Sequence, residues 1–219
     1  MWTSIKQTTM KNDILFFLFL SLVTTSFAQQ NPEIDGKKRT TIQRQQMDRG
    51  YYYCLDKIGS ERNYNTQYEL LFFGKTDTVL FKTNLNKHVY SIGNPITMLY
   101  IHFISVNTGF VYGYESGYGE FPMLYKTTDG GKTWAPRMLG YASLHNLILK
   151  DIAFIDETTG WICAYDVAKR TSVIYVTADG GESWKKQMSS ALKNQELQSM
   201  TSFGTNVWLA GVKIFKLKL

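Results

Sequence analysis

The chain has 219 residues, 44% of them hydrophobic, and a formal net charge of +6 at pH 7. This length is ordinarily one domain. The basic balance does not by itself indicate a nucleic-acid partner, because the sequence carries no nucleic-acid-binding motif. Its two cysteines, Cys54 and Cys163, belong to no Cys-x-x-Cys pair and have no suitable histidine cluster nearby, so neither zinc nor another metal is predicted.

The first 28 residues are predicted to be a secretory signal peptide. Lys11 precedes an apolar run over residues 14–23, and the small residues Ser26 and Ala28 follow it, which is the order of features in such signals. The run is too short to span a bilayer as a helix, which takes about 20 residues. We therefore predict a start at Met10, cleavage after Ala28, and an exported product, periplasmic or extracellular, that is soluble and has no transmembrane span.

Export bears on the two cysteines. In an oxidising compartment Cys54 and Cys163 are candidates for a disulfide. The alternative is a buried free thiol, since Cys163 follows Gly160, Trp161 and Ile162 in an apolar strand.

The mature chain is predicted to begin with an arm and to continue as β-blades. Residues 29–50 are polar and lack an apolar period, which predicts a flexible arm. From residue 51 onward, apolar runs separated by polar turns predict four-stranded antiparallel blades. Their approximate bounds are 51–90, 99–140 and 150–190, with an incomplete blade at 199–219.

The first of these blades is predicted to be degenerate. Residues 80–83 are similar to residues 124–127, which form the strand before the turn motif of the next blade. This similarity predicts a third strand at 80–83 and a second strand at 68–74.

One turn motif recurs in the two middle blades. Thr-Thr-Asp-Gly-Gly-Lys-Thr-Trp at residues 127–134 returns as Thr-Ala-Asp-Gly-Gly-Glu-Ser-Trp at residues 177–184. Aspartate suits a hydrogen-bonded turn, glycine suits positive φ, and tryptophan suits packing between sheets. A calcium loop is not indicated, because further oxygen ligands are missing. The residues assigned this structural role are Thr127, Asp129, Gly130, Gly131, Trp134, Thr177, Asp179, Gly180, Gly181 and Trp184.

The motif resembles the Asp-box, or bacterial neuraminidase repeat. The strands before it make the whole pattern similar to photosystem II stability/assembly factor-like and sortilin-type propellers over roughly residues 66–219. The resemblance implies an all-β fold of about three to four propeller blades. Such propellers usually have more blades, so a partial propeller, a truncated gene product or self-association that completes the ring is implied. A small ring of four irregular blades is the alternative.

The search for catalytic chemistry finds no motif. Sialidases on this fold use an arginine triad, and the arginines of this chain lie in no sequence motif that would identify such a triad. The nucleophile-elbow, metalloprotease and phosphate-loop motifs are missing from the sequence as well. Glu115, Glu120 and Asp166 are candidate carboxylates for a glycosidase, but any propeller surface carries some. No cofactor is predicted.

The loops at the blade ends opposite the repeated turn are the predicted binding face. Aromatic residues stand beside charges there, which suits a glycan or an extended peptide; local packing beneath the loops is the alternative. The residues assigned to this face are Tyr114, Tyr118, Glu120, Arg137, Tyr141, His145, Lys169 and Arg170. The sequence thus predicts an exported, non-catalytic scaffold or binding module for protein or glycan. The alternatives are a fragment or subunit of a sialidase- or xyloglucanase-like glycoside hydrolase, and a non-functional truncated product.

Overall fold

The computed structural model describes residues 4–7, 39–58, 67–88, 96–116, 120–139, 146–187, 192, 195–211 and 214–218. In chain order the strands are β1 (Ser4–Gln7), β2 (Arg39–Gln46), β3 (Tyr52–Ile58), β4 (Gln67–Phe73), β5 (Val79–Asn84), β6 (Ile96–Phe103), β7 (Gly109–Ser116), β8 (Glu120–Thr127), β9 (Ala135–Pro136), β10 (Leu147–Phe154), β11 (Gly160–Asp166), β12 (Thr171–Thr177), β13 (Lys185–Gln187), β14 (Leu197–Phe203), β15 (Asn206–Gly211) and β16 (Ile214–Lys218). Short 3-10 turns lie at Asp48–Gly50 and Leu85–Lys87.

The strands form four sheets of four strands each, called blades I to IV here. Blade I has the order β2-β3-β4-β5, blade II β6-β7-β8-β9 and blade III β10-β11-β12-β13. Blade IV has the order β14-β15-β16-β1, so its fourth strand comes from the N-terminal end of the chain. The predicted all-β fold made of four-stranded propeller-type blades is confirmed.

The described residues fall into two compact units. Unit A takes those of Met1–Met10, Tyr112–Leu124 and Pro136–Leu219, and unit B takes those of Lys11–Val111 and Tyr125–Ala135. Within the described ranges no helix has the length and hydropathy needed to cross a bilayer.

The core of unit A is apolar and joins blade III to blade IV. Trp161 on β11 is fully buried and belongs to the same cluster as Leu209, Phe215 and Leu217 of blade IV. Fully burying a side chain of this size typically stabilises a fold by about 1.5–3 kcal/mol. The strands β15 and β16 are therefore anchored by packing as well as by their backbone ladder.

The predicted flexible arm at 29–50 is wrong from Arg39 onward, because these residues form β2, the first strand of blade I. The strand has no apolar period, yet its polar side chains are paired. Arg39 contacts Glu69, and the Thr41 hydroxyl donates to Asp56 at 2.7 Å. The buried Arg39 and Thr41 side chains thus have polar partners, as buried polar groups in native structures generally do.

The strand assignment within blade I also changes by one position. Residues 68–74 correspond to β4, the third strand rather than the second, and residues 80–83 lie in β5, the fourth rather than the third. The missed β2 caused this shift. In place of the repeated turn, blade I joins β4 to β5 by a tight turn in which the Gly74 amide donates to the Thr78 carbonyl at 2.9 Å.

Cys54 and Cys163 are both buried and have free thiols, as the alternative to a disulfide predicts. Cys54 lies on β3 of blade I and Cys163 on β11 of blade III, each within the interior of its own unit. Burial raises the pKa of both thiols, that of Cys54 to about 12, which keeps them in the unreactive thiol form.

Candidate functional site

The repeated turns, called box turns here (residues 127–134 and 177–184), have one hydrogen-bond pattern. In the first, Asp129 accepts from the Thr133 amide at 2.9 Å and from the Thr133 hydroxyl at 2.6 Å. In the second, Asp179 accepts from the Ser183 amide at 2.9 Å and from the Ser183 hydroxyl at 2.5 Å. Each carboxylate therefore has both oxygens engaged within its own turn.

The threonine that opens each box turn supplies the second half of the pattern. Thr127 donates its hydroxyl proton to Asp129 at 2.8 Å and accepts from the Gly131 amide at 2.8 Å. Thr177 makes the same two bonds in the second turn, at 2.7 and 2.8 Å. The glycines Gly130, Gly131, Gly180 and Gly181 all have positive φ, between 69° and 91°. The side-chain hydrogen bonds thus stay within each turn, while the Gly130 and Gly180 amides donate to the Asn107 and Thr158 carbonyls of the hairpin before it, both at 2.8 Å.

Aromatic packing connects each box turn to the first two strands of its own blade. Trp184 meets Phe154 edge-to-face at 6.1 Å, and Trp134 meets Phe103 in the same way at 6.2 Å. Phe154 in turn covers Gly160, where an added Cβ would lie 2.5 Å from ring carbons. The first position of β11, directly before Trp161, therefore requires glycine, because the Phe154 ring lies over Gly160.

The box carboxylates are expected to stabilise the fold only above strongly acidic pH. Burial tends to raise the pKa of Asp129, but the hydrogen bonds from Thr133 and Thr127 outweigh it and hold the pKa at about 2. Hydrogen bonds from Ser183 lower the pKa of Asp179 to about 2 as well. Because the folded-state pKa lies below the unfolded value near 3.8, the stabilisation is complete above about pH 4 and is lost as the pH falls toward 2.

Replacing both carboxylates by amides tests this expectation. The Asp129→Asn/Asp179→Asn variant should show a smaller loss of stability between pH 4 and pH 2 than the parent, measured by urea denaturation at each pH. If the free energy of unfolding falls equally with pH in the two proteins, the Asp129 and Asp179 carboxylates are not the cause of the loss of stability in acid.

The predicted binding residues do not form one site among those described. Tyr118, Tyr141 and His145 lie outside the described residues, and Glu120 is described only as the first backbone position of β8. Tyr114 is half-buried on β7. The remaining three, Arg137, Lys169 and Arg170, can be placed.

Two of the predicted cations are paired with nearby acids. Arg137 forms an ion pair with Glu182 of the second box turn at 2.8 Å, so it faces that turn rather than the opposite loops. Lys169 pairs with Asp166 at 2.8 Å within the β11–β12 hairpin, where Arg170 has a φ of 52°. Arg137 and Lys169 are therefore paired with acidic residues of the turns and hairpins of the blades. Sequence reasoning could not have found the Arg137 partner, since nothing local links it to Glu182.

Blade I contains a buried charged cluster that was not predicted from the sequence. Arg39 is fully buried, and its guanidinium lies 2.5 Å from Glu69 Oε2 and 3.9 Å from Asp56 Oδ2. Asp56 and Glu69 face each other in the register of β3 and β4. Burial raises the pKa of Asp56, although the Thr41 hydroxyl and Arg39 oppose this. One cation therefore serves two enclosed carboxyl groups.

Side chains from β2 also reach the backbone of β6. The Gln43 amide donates to the Ile101 carbonyl and accepts from the Ile101 amide, both at 2.8 Å. Gln45 does the same at Phe103, at 2.7 Å in each direction. Two glutamine side chains thus act as a short piece of strand along the edge of β6.

Blades III and IV contain a similar connection in unit A. Asp151 on β10 accepts from the Met200 amide on β14 at 2.8 Å, from the Ile152 amide at 2.8 Å and from the Tyr112 hydroxyl at 3.1 Å. Burial raises the pKa of Asp151 to about 6 despite these bonds. This carboxyl group is committed to holding strands together.

Blade IV has an edge with a distinct composition. Phe215 and Leu217 of β16 are buried, whereas Lys216, between them, lies with its Nζ 5.0 Å above the Trp208 ring. The fourth position of this sheet is occupied by β1, with Ile5 opposite Leu217 and Lys6 opposite Lys216.

Among the residues described, no group of three His, Cys, Asp or Glu side chains is arranged to hold a metal ion.

The comparisons with known proteins bear on the fold. No family model and no curated protein matches the chain. The chain is similar to the structure of YCF48 from Cyanidioschyzon merolae, with 16% identity over 81% of this chain and 50% of that chain and a TM-score of 0.53. A structure of YCF48 bound to D1 peptide matches 60% of this chain and 40% of that chain, with 23% identity and a TM-score of 0.46.

A polysaccharide lyase, an ulvan lyase, also matches, with 11% identity over 88% of this chain and 54% of that chain and a TM-score of 0.43. The chain spans half or less of the length of the two YCF48 structures. The match to the Cyanidioschyzon merolae structure, at a TM-score of 0.53, shows a shared β-propeller fold, and its identity of 16% leaves activity undefined. The protein is therefore an all-β protein of propeller type.

Proposed function

We propose that the chain is an exported, non-catalytic propeller module with turns of the Asp-box type, and that it acts by binding. The observation that carries this proposal is the commitment of its carboxyl groups to structure. A general acid needs a raised pKa and access to substrate. The described carboxyl groups with a raised pKa are Asp56 and Asp151. Asp56 is fully buried, and Asp151 accepts three hydrogen bonds.

Two of the three candidate carboxylates from the sequence support the same proposal, since Glu115 is buried and Asp166 binds Lys169. The side chain of the third, Glu120, lies outside the described part of the structure. Asp129 and Asp179 close the box turns. Glycoside hydrolysis requires two carboxyl groups that flank an open substrate site at about 5–10 Å from each other. Binding on a stable scaffold makes no such demand.

A propeller-type glycoside hydrolase is the second candidate, and one observation favours it. Asp56 and Glu69 are paired across neighbouring strands, and the Asp56 carboxyl has the raised pKa expected of an acid. Because Asp56 is fully buried, this candidate also requires blade I to open to the substrate.

One experiment separates the two functions. The exported product is purified, its N-terminus is determined by mass spectrometry, and it is assayed against sialosides and β-glucans beside an Asp56→Asn variant. We expect Gln29 as the first residue and no turnover by either protein. Turnover that disappears in the variant, while the midpoint of its urea unfolding stays that of the parent, would establish the hydrolase and exclude the binding module.

A further inference from the structure

Blade IV differs from the other blades in the origin of its fourth strand. Blades I, II and III each use four strands that follow one another in the chain, whereas blade IV takes β14, β15 and β16 and then the distant β1. The register pairs Ser4 with Lys218, Ile5 with Leu217, Lys6 with Lys216 and Gln7 with Phe215. The outer edge of β16 is therefore able to accept an added antiparallel strand, because β1 is one.

The position of β1 in the chain makes its attachment conditional. It lies before the apolar run at residues 14–23, so export with cleavage after Ala28 would separate it from the blades. β16 would keep its place without β1, since Phe215 and Leu217 are 2% and 1% exposed in the core of unit A and β16 is paired with β15. Its outer N–H and C=O groups would then be unpaired, which makes an edge a template for another strand.

The present occupant is poorly matched to this edge. Lys6 stands opposite Lys216 in the register, and like charges directly opposite each other destabilise an antiparallel pair. Gln7 stands opposite the buried Phe215, where an apolar residue would add packing. A strand with acidic residues opposite Lys216 and Lys218, and apolar residues opposite Phe215 and Leu217, would fit both faces better.

We propose that the outer edge of β16 is a strand-acceptor site for an extended segment of a partner protein in which acidic and apolar residues alternate. The site deepens the proposed binding function and rests on it, because export vacates the edge. Backbone hydrogen bonds supply the affinity in such strand addition, and the alternating side chains supply specificity. Lys216 and Lys218 occupy alternate register positions of β16, and both favour acidic residues in the added strand.

The test uses the full chain with β1 disabled. Successive N–H groups of a strand point to opposite sides, so the pair Ile5→Pro and Lys6→Pro removes a donor that faces β16 in either alignment. The probes are two fluorescent peptides, one containing Glu-Ile-Glu-Val and the other Lys-Ile-Lys-Val. Affinity is measured by fluorescence anisotropy at low salt, and protection of residues 214–218 by hydrogen exchange.

We expect the acidic peptide to bind the proline variant about 2- to 30-fold more tightly than the lysine peptide, as two cross-strand charge pairs would give. It should also slow exchange at residues 214–218 and bind the parent chain more weakly, because β1 occupies the edge there. Adding Lys216→Glu to the proline variant should narrow or reverse the preference.

Equal binding of the two peptides, or binding that leaves exchange at residues 214–218 unchanged, would overturn the strand-acceptor site. Capture of a soluble glycan by the mature protein, with neither peptide bound, would overturn the site while leaving the proposed binding function in place. Turnover of a glycan would remove the proposed function itself.

Discussion

Replacing Arg39 with methionine is expected to lower the free energy of unfolding by about 3–5 kcal/mol, the usual cost of breaking a buried ion pair from one side. The Arg39 side chain is fully buried between Glu69 and Asp56. Methionine fills a similar volume, so the main effect is to leave two carboxyl groups in the interior without their cation. Guanidinium chloride denaturation at pH 7, followed by tryptophan fluorescence, measures the change.

A double variant separates charge from packing. Arg39→Met/Glu69→Met removes both partners of the close pair and replaces them with apolar side chains, which is often neutral or stabilising for a buried ion pair. We expect it to recover part of the stability that the single variant loses, because Asp56 stays in the interior without its cation. Adding Asp56→Asn removes this last carboxylate. If the triple variant is still as unstable as Arg39→Met, the cost comes from lost packing and not from uncompensated charge.

The box turns were predictable because their determinants are local. All the hydrogen bonds of Asp129 and Thr127 in the first turn join residues within 127–133, so the chemistry is visible in the sequence. The apolar strands before each turn follow the strand period as well. Local agreement of this kind is what makes a repeat recognisable.

β2 could not be predicted from the same kind of pattern. The strand reads Arg-Thr-Thr-Ile-Gln-Arg-Gln-Gln, which has the composition of a solvated arm. Its buried partners are distant in sequence, with Glu69 30 positions and Ile101 58 positions away. A polar strand of this type can be recognised only after the strands that satisfy it have been placed.

Two contacts of the candidate site could not be predicted from the sequence for the same reason, namely that the partners are distant in the chain. Arg137 looked like a loop-face cation, but its partner Glu182 belongs to the box turn of another blade. The β16 edge was not anticipated at all, because the prediction placed the start of the protein at Met10 and thereby discarded the segment that contains β1. Pairing between the two ends of a chain leaves no local signal in either end.

Replacing Gly131 with alanine is expected to cost about 2–5 kcal/mol, from two separate causes. Its φ of 91° lies in a region that L-residues adopt only with strain, typically about 1–2 kcal/mol. An added Cβ would also lie 2.6 Å from Leu70 Cδ2, and Leu70 is fully buried and cannot move aside freely. Overpacking of this kind typically costs about 1–3 kcal/mol.

Gly204→Ala is the matched control, because Gly204 has a φ of 56° and nothing within 4 Å of an added Cβ. It carries the backbone strain without the steric contact, so its cost should be about 1 kcal/mol. Thermal unfolding of the two variants beside the parent should therefore show the larger fall in melting temperature for Gly131→Ala. Similar shifts in melting temperature would mean that Leu70 relaxes at little cost and that the box turn is held by its hydrogen bonds rather than by its fit against blade I.

Adding Leu70→Ala to Gly131→Ala tests the contact directly, because a smaller neighbour makes room for the Cβ. The two substitutions should then cost less together than the sum of their separate effects.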